Sequence, residues 1–276
     1  MEKTLLAHLY NEEYLLPFWL EHHRDIFDKF ILIDYNSTDN SLNIIKEFLK
    51  NKDFKILQSR NQYFDAGAVD EEITDIEKEI VGNKITLNIT EFFYFNEKFK
   101  QEILENNITG IHVCVGCGES EPNTYREFQS DLKNNILWGL HGQPTPSREI
   151  WSPPIGGNYR FMHNISGELN KQVYNTGRHG LQSIIYQEKI PINKIKNTTN
   201  AFICKVAWFP WNEKTLKRKM QIQEKMSHRE RYESSAGFQH KGDKKFFIKN
   251  FMQTNGLHKE NFLDIPIVRE CLQKII

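Results

Sequence analysis

The sequence predicts an α/β fold with a mainly parallel central sheet flanked by helices and a helical C-terminal extension. Short apolar runs alternate with amphipathic segments from the N-terminus onward, each early run stops at polar turn residues, and the chain of 276 residues is long enough to bury a substantial core. "KTLLAHLY" reads as the first strand, and "EEYLLPFWLEHHRDI" as a helix with Leu15, Leu16, Trp19 and Leu20 at helical spacing. "KFILIDY" follows as a strand, "TDNSLNIIKEFLKN" as a helix and "DFKILQS" as a strand, an order that implies right-handed crossovers. "AVDEEITDIEKEIV" is an amphipathic helix with Val69, Ile73, Ile76 and Ile80 on one face, and Glu72 and Glu77 read as its polar side. It leads to the strand "NKITLNI". Beyond about residue 110 the pattern turns irregular, with "GQPTPSREIWSPPIGG" full of turn residues. From "NEKTLKRKMQIQEKM" the chain reads as helical again, with Asn212 as the helix cap, and it ends in a charged helical tail.

Lys plus Arg and Asp plus Glu each number 36, so no global field draws the chain to nucleic acid or an anionic membrane, and any phosphate recognition must be local. The opening "MEKTLLAHLYNEE" lacks the apolar stretch of a signal peptide, and no run approaches the roughly 18 apolar residues of a membrane span. A soluble, cytoplasmic protein is expected. The glycosylation sequons at Asn36 and Asn88 fall among the candidate site residues, where a glycan would be hard to accommodate. Cys114, Cys117, Cys204 and Cys271 are too scattered for a disulfide framework. The pair in "VCVGCGE" has metal spacing but no second ligand pair, so small strand or turn residues is the preferred reading.

In an open parallel sheet ligands bind beyond the carboxyl ends of the strands. Asn11, Glu12 and Glu13 end the first strand, and Asp34, Asn36, Ser37 and Asp39 end the second, so both clusters should face one crevice. An acidic acceptor at a strand end suits the imide or hydroxyl donors of a nucleoside. Ser37 and Thr38 are equally well explained as caps of the second helix, whereas Asp34 is not. No glycine precedes Gly67, which excludes a dinucleotide-binding GxGxxG turn or a P-loop at the first strand.

The stretch "YNEEYLLPFWLEHHRDIFDKFILIDYNSTDNS" resembles the family 2-like glycosyltransferases of GT-A (nucleotide-diphospho-sugar transferase) fold. Further echoes follow in the same order: "FDAGAVDEEITDIE", "NKITLNITEFF", "YNTGRHG", "FPWNEKTLKRKMQIQEKM" and "GFQH". The resemblance implies a catalytic domain over residues 1–210, with 211–276 as a helical extension packed on it. It also implies a nucleotide-sugar donor, UDP- or GDP-linked, and a hydroxyl acceptor. Around the donor it would set Tyr10, Asn11, Glu12, Asp34, Asn36, Ser37, Asp39, Asp65, Arg178, Trp211, Arg218, Lys219 and His240.

Where such enzymes carry Asp-x-Asp before Glu and Phe, this chain has Asn88, Ile89, Thr90, Glu91 and Phe92. Neutral oxygen donors weaken a Mn2+ or Mg2+ site, which would then be drawn from Asn88, Thr90, Glu91 and His179. Cations can take the same role by stabilising the leaving diphosphate; Arg178, Arg218 and Lys219 are available, while Lys214 and Lys217 read as a solvated helix face. The acceptor's proton needs a base. The candidate catalytic carboxylates are Asp65, Glu91, Glu119, Glu121 and Asp131. Two other readings stand beside this one. A degenerate nucleotide-sugar-binding protein would keep the pocket and lack turnover, and a nucleotidyltransferase would want a glycine- and lysine-rich first loop, which is absent.

Overall fold

The computed structural model describes residues 2–117, 138–140, 159–167, 177–178, 192–206, 212–233, 237, 240–256, 260–261 and 269. The first half alternates as the sequence implies: β1 (Lys3–Leu9), α1 (Leu16–His23), β2 (Lys29–Asp34), α2 (Ser41–Phe48), β3 (Asp53–Gln58), α3 (Ala66–Lys78) and β4 (Asn83–Thr86). Then come β5 (Glu91–Phe95), α4 (Glu97–Glu105), β6 (Ile108–Cys117), β7 (Trp138–Leu140), β8 (Tyr159–His163) and β9 (Ile195–Lys205). The described C-terminal elements are α5 (Glu213–Lys225), α6 (His228–Tyr232), α7 (Lys244–Gly256) and β10 (Glu260–Asn261).

Period-two alternation along β1 and β2 explains the layering. Leu5, Ala7, Leu9, Phe30 and Leu32 enter one core with Leu16, Trp19 and Leu20 of α1 and Ile45 of α2. Leu6 and Ile31 face the other way with Ile80, and Ile33 and Tyr35 pack with Val69 and Ile73 of α3. Truncating a fully buried Trp19 to Ala would cost about 3–5 kcal/mol on core-mutation precedent. Pro17 sits at the start of α1, where its missing amide hydrogen costs nothing.

The sheet runs in the order β10-β7-β6-β8-β4-β1-β2-β3, with β9 on β6 and β5 on β9. The pairs β1/β2, β2/β3, β1/β4 and β6/β9 are parallel; β8, β7, β10 and β5 join antiparallel. The sheet is therefore parallel in its N-terminal part and mixed beyond it. The irregular pattern read beyond residue 110 conceals strands. β6 and β9 hold Thr109, Gly110, Asn197 and Thr198, residues that mark turns in isolation.

Register brings several strand ends to one edge. Leu9 lies opposite Asp34 and Leu6 opposite Thr86, while Glu91 at the start of β5 lies opposite Lys205 at the end of β9. β8 runs antiparallel to β4 and β6, so Tyr159 and Arg160 at its start reach the same edge. Among the described residues no helix is long and apolar enough to cross a membrane.

Candidate active site

The loops after β1 and β2 are tied to each other. Asn11, with φ of 52°, donates its backbone amide to Ser37 Oγ at 3.0 Å and accepts from the Thr38 amide at 2.7 Å. Glu13 donates its backbone amide to Asp39 Oδ2 at 3.0 Å, and Asp39 Oδ1 accepts the Ser41 amide at 3.0 Å. Asp34 is buried at the end of β2, and its two oxygens accept from the Ser37 amide at 3.1 and 3.2 Å. Ser37 and Thr38 therefore do not cap α2, whose first residue is Ser41; their hydroxyls meet Asn11 instead. Asn36 is exposed with φ of 62°, a conformation Asn tolerates better than most residues. Glu12 is buried and forms a bidentate pair with Arg218, from Nε and from a terminal nitrogen at 2.7 Å.

That pair brings α5 to the site. Asn212 caps α5, as its position predicts, accepting from the Thr215 amide at 2.9 Å while donating to the Tyr14 hydroxyl at 2.7 Å. Arg218 and Lys219 are buried, and Lys214 and Lys217 are exposed, as a solvated helix face requires of the latter pair. Lys225 lies 4.9 Å over the ring of Tyr10. Asp65 caps α3 by accepting from the Ala68 amide at 3.2 Å, its side chain stays one-fifth exposed, and Arg229 is 3.8 Å away.

The stretch Asn88–Glu91 is engaged by protein cations. Both oxygens of the fully buried Glu91 accept from Arg160, at 2.6 and 2.9 Å, and both accept from Asn88, at 3.0 Å from its backbone and 3.0 Å from its side chain. Burial alone would raise the Glu91 carboxyl, but Arg160, Lys205 and the Asn88 amide outweigh it and hold the group at about 2. Asn88 Oδ1 accepts from Arg178 at 2.9 Å. Thr90 is buried and its carbonyl accepts the Val206 amide at 2.8 Å, which fixes the β4–β5 turn against the end of β9.

Arg160 also donates to the carbonyls of Gly177 and Arg178, at 3.3 and 3.2 Å. Asp70 of α3, 1% exposed, accepts the Gly177 amide at 2.7 Å and Arg178 Nη1 at 3.3 Å. Burial pushes Asp70 up, against the pull of Arg178.

A basic cluster results. Arg160, Arg178, Lys205, Arg218 and Lys219 act on one another, and the carboxylates coupled to them are Asp70, Glu12 and Glu91. Among the described residues, five basic side chains thus stand against these three carboxylates. Burial lowers Lys205, against the pull of Glu91, and Arg160, Arg178 and Arg218 lower it further. Burial and then Arg218 and Lys205 lower Lys219 well below an ordinary lysine. Burial and then Lys219, Arg218 and Lys205 hold His240 neutral, while burial and Arg178 push His8 down to about 3. Among the described residues, Arg178 Nε, His8 Nδ1 and His240 Nδ1 are buried without a hydrogen-bond partner. Crowded cations with orphaned polar atoms are the electrostatic signature of a place that takes an anion.

The same geometry decides the fit of a divalent metal. A hard cation needs several available oxygens, whereas the Asn88 side-chain oxygen and both Glu91 oxygens already receive hydrogen bonds from arginine. The described residues contain no cluster of three His, Cys, Asp or Glu able to hold an ion. The donor set at Asn88, Thr90 and Glu91 does not fit a divalent metal. His179, Trp211, Glu119, Glu121 and Asp131 lie outside the described residues.

Arg160, Asp70, Lys205 and His8 were not signalled by any motif. Two of them left a trace: Arg160 interrupts the apolar run "YRFMH", and Asp70 shares the helix face of Ile73 and Glu77. Glu72 and Glu77, read as the polar side of α3, are both buried. Glu72 accepts from Tyr35, Ser59, the Arg60 amide and Asn61, which fixes the β3–α3 loop; Glu77 accepts from Thr86.

No known family model and no curated protein matches the chain. Solved structures do. Staphylococcus aureus TarS residues 1–349 shares 13% identity at a TM-score of 0.41, covering 92% of this chain and 82% of that one, and a further TarS structure is a complex with UDP-GlcNAc. The mannosyltransferase PcManGT from Pyrobaculum calidifontis, in complex with GDP-Man and Mn2+, shares 15% at 0.44, covering 99% and 74%. The inositol-1-phosphate CTP transferase from T. maritima shares 9% at 0.39, covering 82% and 98%. The neighbours are glycosyl- and nucleotidyltransferases; at this depth of likeness, residue roles rest on the geometry of this chain alone.

Proposed function

We propose that the protein is a glycosyltransferase that takes a nucleotide-sugar donor, UDP- or GDP-linked, and moves the sugar to a hydroxyl-bearing acceptor in the cytoplasm. The observation that carries the reading is the basic cluster with orphaned buried polar atoms at the carboxyl edge of β1, β2 and β4. A diphosphate leaving group gains negative charge as its bond to the sugar breaks, and pre-set cations there lower the barrier without reorganising. The catalytic unit is residues 1–210, and the extension 211–276 contributes Arg218 and Lys219 from α5. Tyr10, Asn11 and the Asp34–Asp39 turn shape the nucleoside side. Asp65, the described catalytic candidate that keeps solvent exposure, is the carboxylate we place nearest the sugar and acceptor.

A degenerate nucleotide-sugar-binding protein is the second reading, favoured by the engagement of Glu91 with Arg160 rather than with solvent. Donor turnover separates the two. Incubation with a panel of nucleotide sugars, beginning with the UDP- and GDP-linked donors held by TarS and the mannosyltransferase, is expected to release nucleoside diphosphate. Donor binding without release, even with glycan acceptors present, would favour the binder, and neither binding nor release would remove both readings.

A further inference from the structure

We infer that Arg178, presented by the Gly177–Arg178 turn and held by Asp70 and Asn88, binds the donor's phosphate oxygens in the place of a divalent cation, so that donor binding needs no metal. The inference rests on the nucleotide-sugar reading above and specifies its phosphate site.

Two features converge on Arg178, the turn that presents it and the state of its guanidinium. Its backbone has φ of 61°, a left-handed conformation that a side chain as long as arginine adopts only where the surroundings enforce it. They do so from both sides: Asp70 takes the Gly177 amide, and Arg160, itself fixed by Glu91, takes the carbonyls of Gly177 and Arg178. Arg178 is 3% exposed and its guanidinium is aimed by Asp70 and Asn88, yet its Nε has no acceptor among the described residues. A buried guanidinium donor left without an acceptor is rare, and a phosphate oxygen satisfies it with a charge-assisted bond.

The replacement of aspartate by asparagine fits the same logic. Asp at position 88 would set a second carboxylate on Arg178 beside Asp70; Asn88 accepts its hydrogen bond without adding negative charge. Glu91 supports Arg160 instead of ligating an ion, and Asp70 is a positioning residue that sets the turn.

Calorimetric titration of the full chain with pyrophosphate, UDP and GDP, each in EDTA and in Mn2+, tests this. Pyrophosphate and one nucleotide are expected to bind in both media, with affinities that differ by less than about tenfold. Arg178→Gln is expected to weaken binding in EDTA by about tenfold or more, and Asp70→Asn to weaken it less while Arg178→Lys recovers only part of it. Because Arg178→Gln strands a buried Asp70, the wild-type comparison stands as a test that needs no variant. Nucleotide binding that is lost, or falls by about tenfold or more, in EDTA would overturn the inference and leave the glycosyltransferase reading in place. Failure of every nucleotide to bind in either medium would overturn both, and a folded Arg178→Gln with full affinity would remove Arg178 from the site.

Discussion

Replacing Glu91 by Gln removes the carboxylate charge that Arg160 meets with two of its nitrogens, in a place neither can leave. Glu91 is fully buried, Arg160 is 2% exposed, and their nearest contact is 2.6 Å. Arg160, Lys205 and Asn88, against the cost of burial, hold the carboxyl at about 2 where an ordinary glutamate titrates at 4.5. That difference is worth about 3 kcal/mol of stability at neutral pH, and breaking a buried ion pair from one side costs a similar amount, about 3–5 kcal/mol. With an unfolding entropy of about 2.1 cal/mol/K per residue, the loss lowers the melting temperature by about 5 °C. Because the folded pKa is depressed, this contribution is complete above the unfolded value and fades as pH falls from about 4.5 towards 2. Differential scanning calorimetry at pH 7 and pH 3 measures both effects: the gap between wild type and Glu91→Gln should be wide at the first and narrower at the second. A variant that melts within about 1 °C of wild type at pH 7 would refute the pairing of Glu91 with Arg160 as the anchor of this edge.

Three further outcomes follow from the described contacts. His23 donates from Nδ1 to the Trp19 carbonyl and accepts the Phe93 amide on Nε2, so it must be neutral, and burial holds it well below an ordinary histidine and His22 at about 4. The unfolded chain therefore takes up protons the folded one refuses, and the unfolding free energy from denaturant titration should fall as pH drops below about 6.5, by about 1.4 kcal/mol per proton and pH unit; a flat profile from pH 7 to 5 would contradict the neutral pair. Asp34→Ala should abolish nucleotide affinity and also release the Ser37 amide, costing about 1 kcal/mol in chemical denaturation, and unchanged affinity would remove Asp34 from the nucleoside site. Diphosphate binding should be accompanied by proton uptake that Lys219→Gln reduces, because an anion restores the charged form that burial, Arg218 and Lys205 suppress; calorimetry in buffers of different ionisation enthalpy reads it, and an unlinked proton balance would exclude Lys219 from the anion site.

How much of this was legible in the chain depended on where the information lies. β1, β2 and β3 could be read because each is an apolar run closed by polar residues, and α1, α2 and α3 because their apolar residues recur at helical spacing. β6 and β9 could not, since Gly110 and Asn197 look like turn residues until one sees that they stand opposite each other, where a Cβ on Gly110 would run into the Asn197 side-chain oxygen. Asp34 was placed at the strand end where it is found, and Arg218 and Lys219, which the resemblance offered as cations for the leaving group, are buried. Their partners were invisible. Arg160 and Lys205 lie far from Glu91 in sequence, and the pairing of β5 with β9 and β8 with β6 carries them to it, while Asp70 joins the cluster from α3 through Gly177 and Arg178. A buried charge shows in a sequence only as an interruption of an apolar pattern, as at Arg160 in "YRFMH".

Amide hydrogen exchange on adding UDP or GDP tests the central claim, that the carboxyl edge of the sheet is the nucleotide site. The account predicts slowed exchange confined to the segments around Asn11, Asp34–Asp39, Asn88–Glu91, Arg178 and the first turns of α5. No protection with any nucleoside diphosphate, or protection confined to the opposite edge around Asp28 and Asp53, would contradict it.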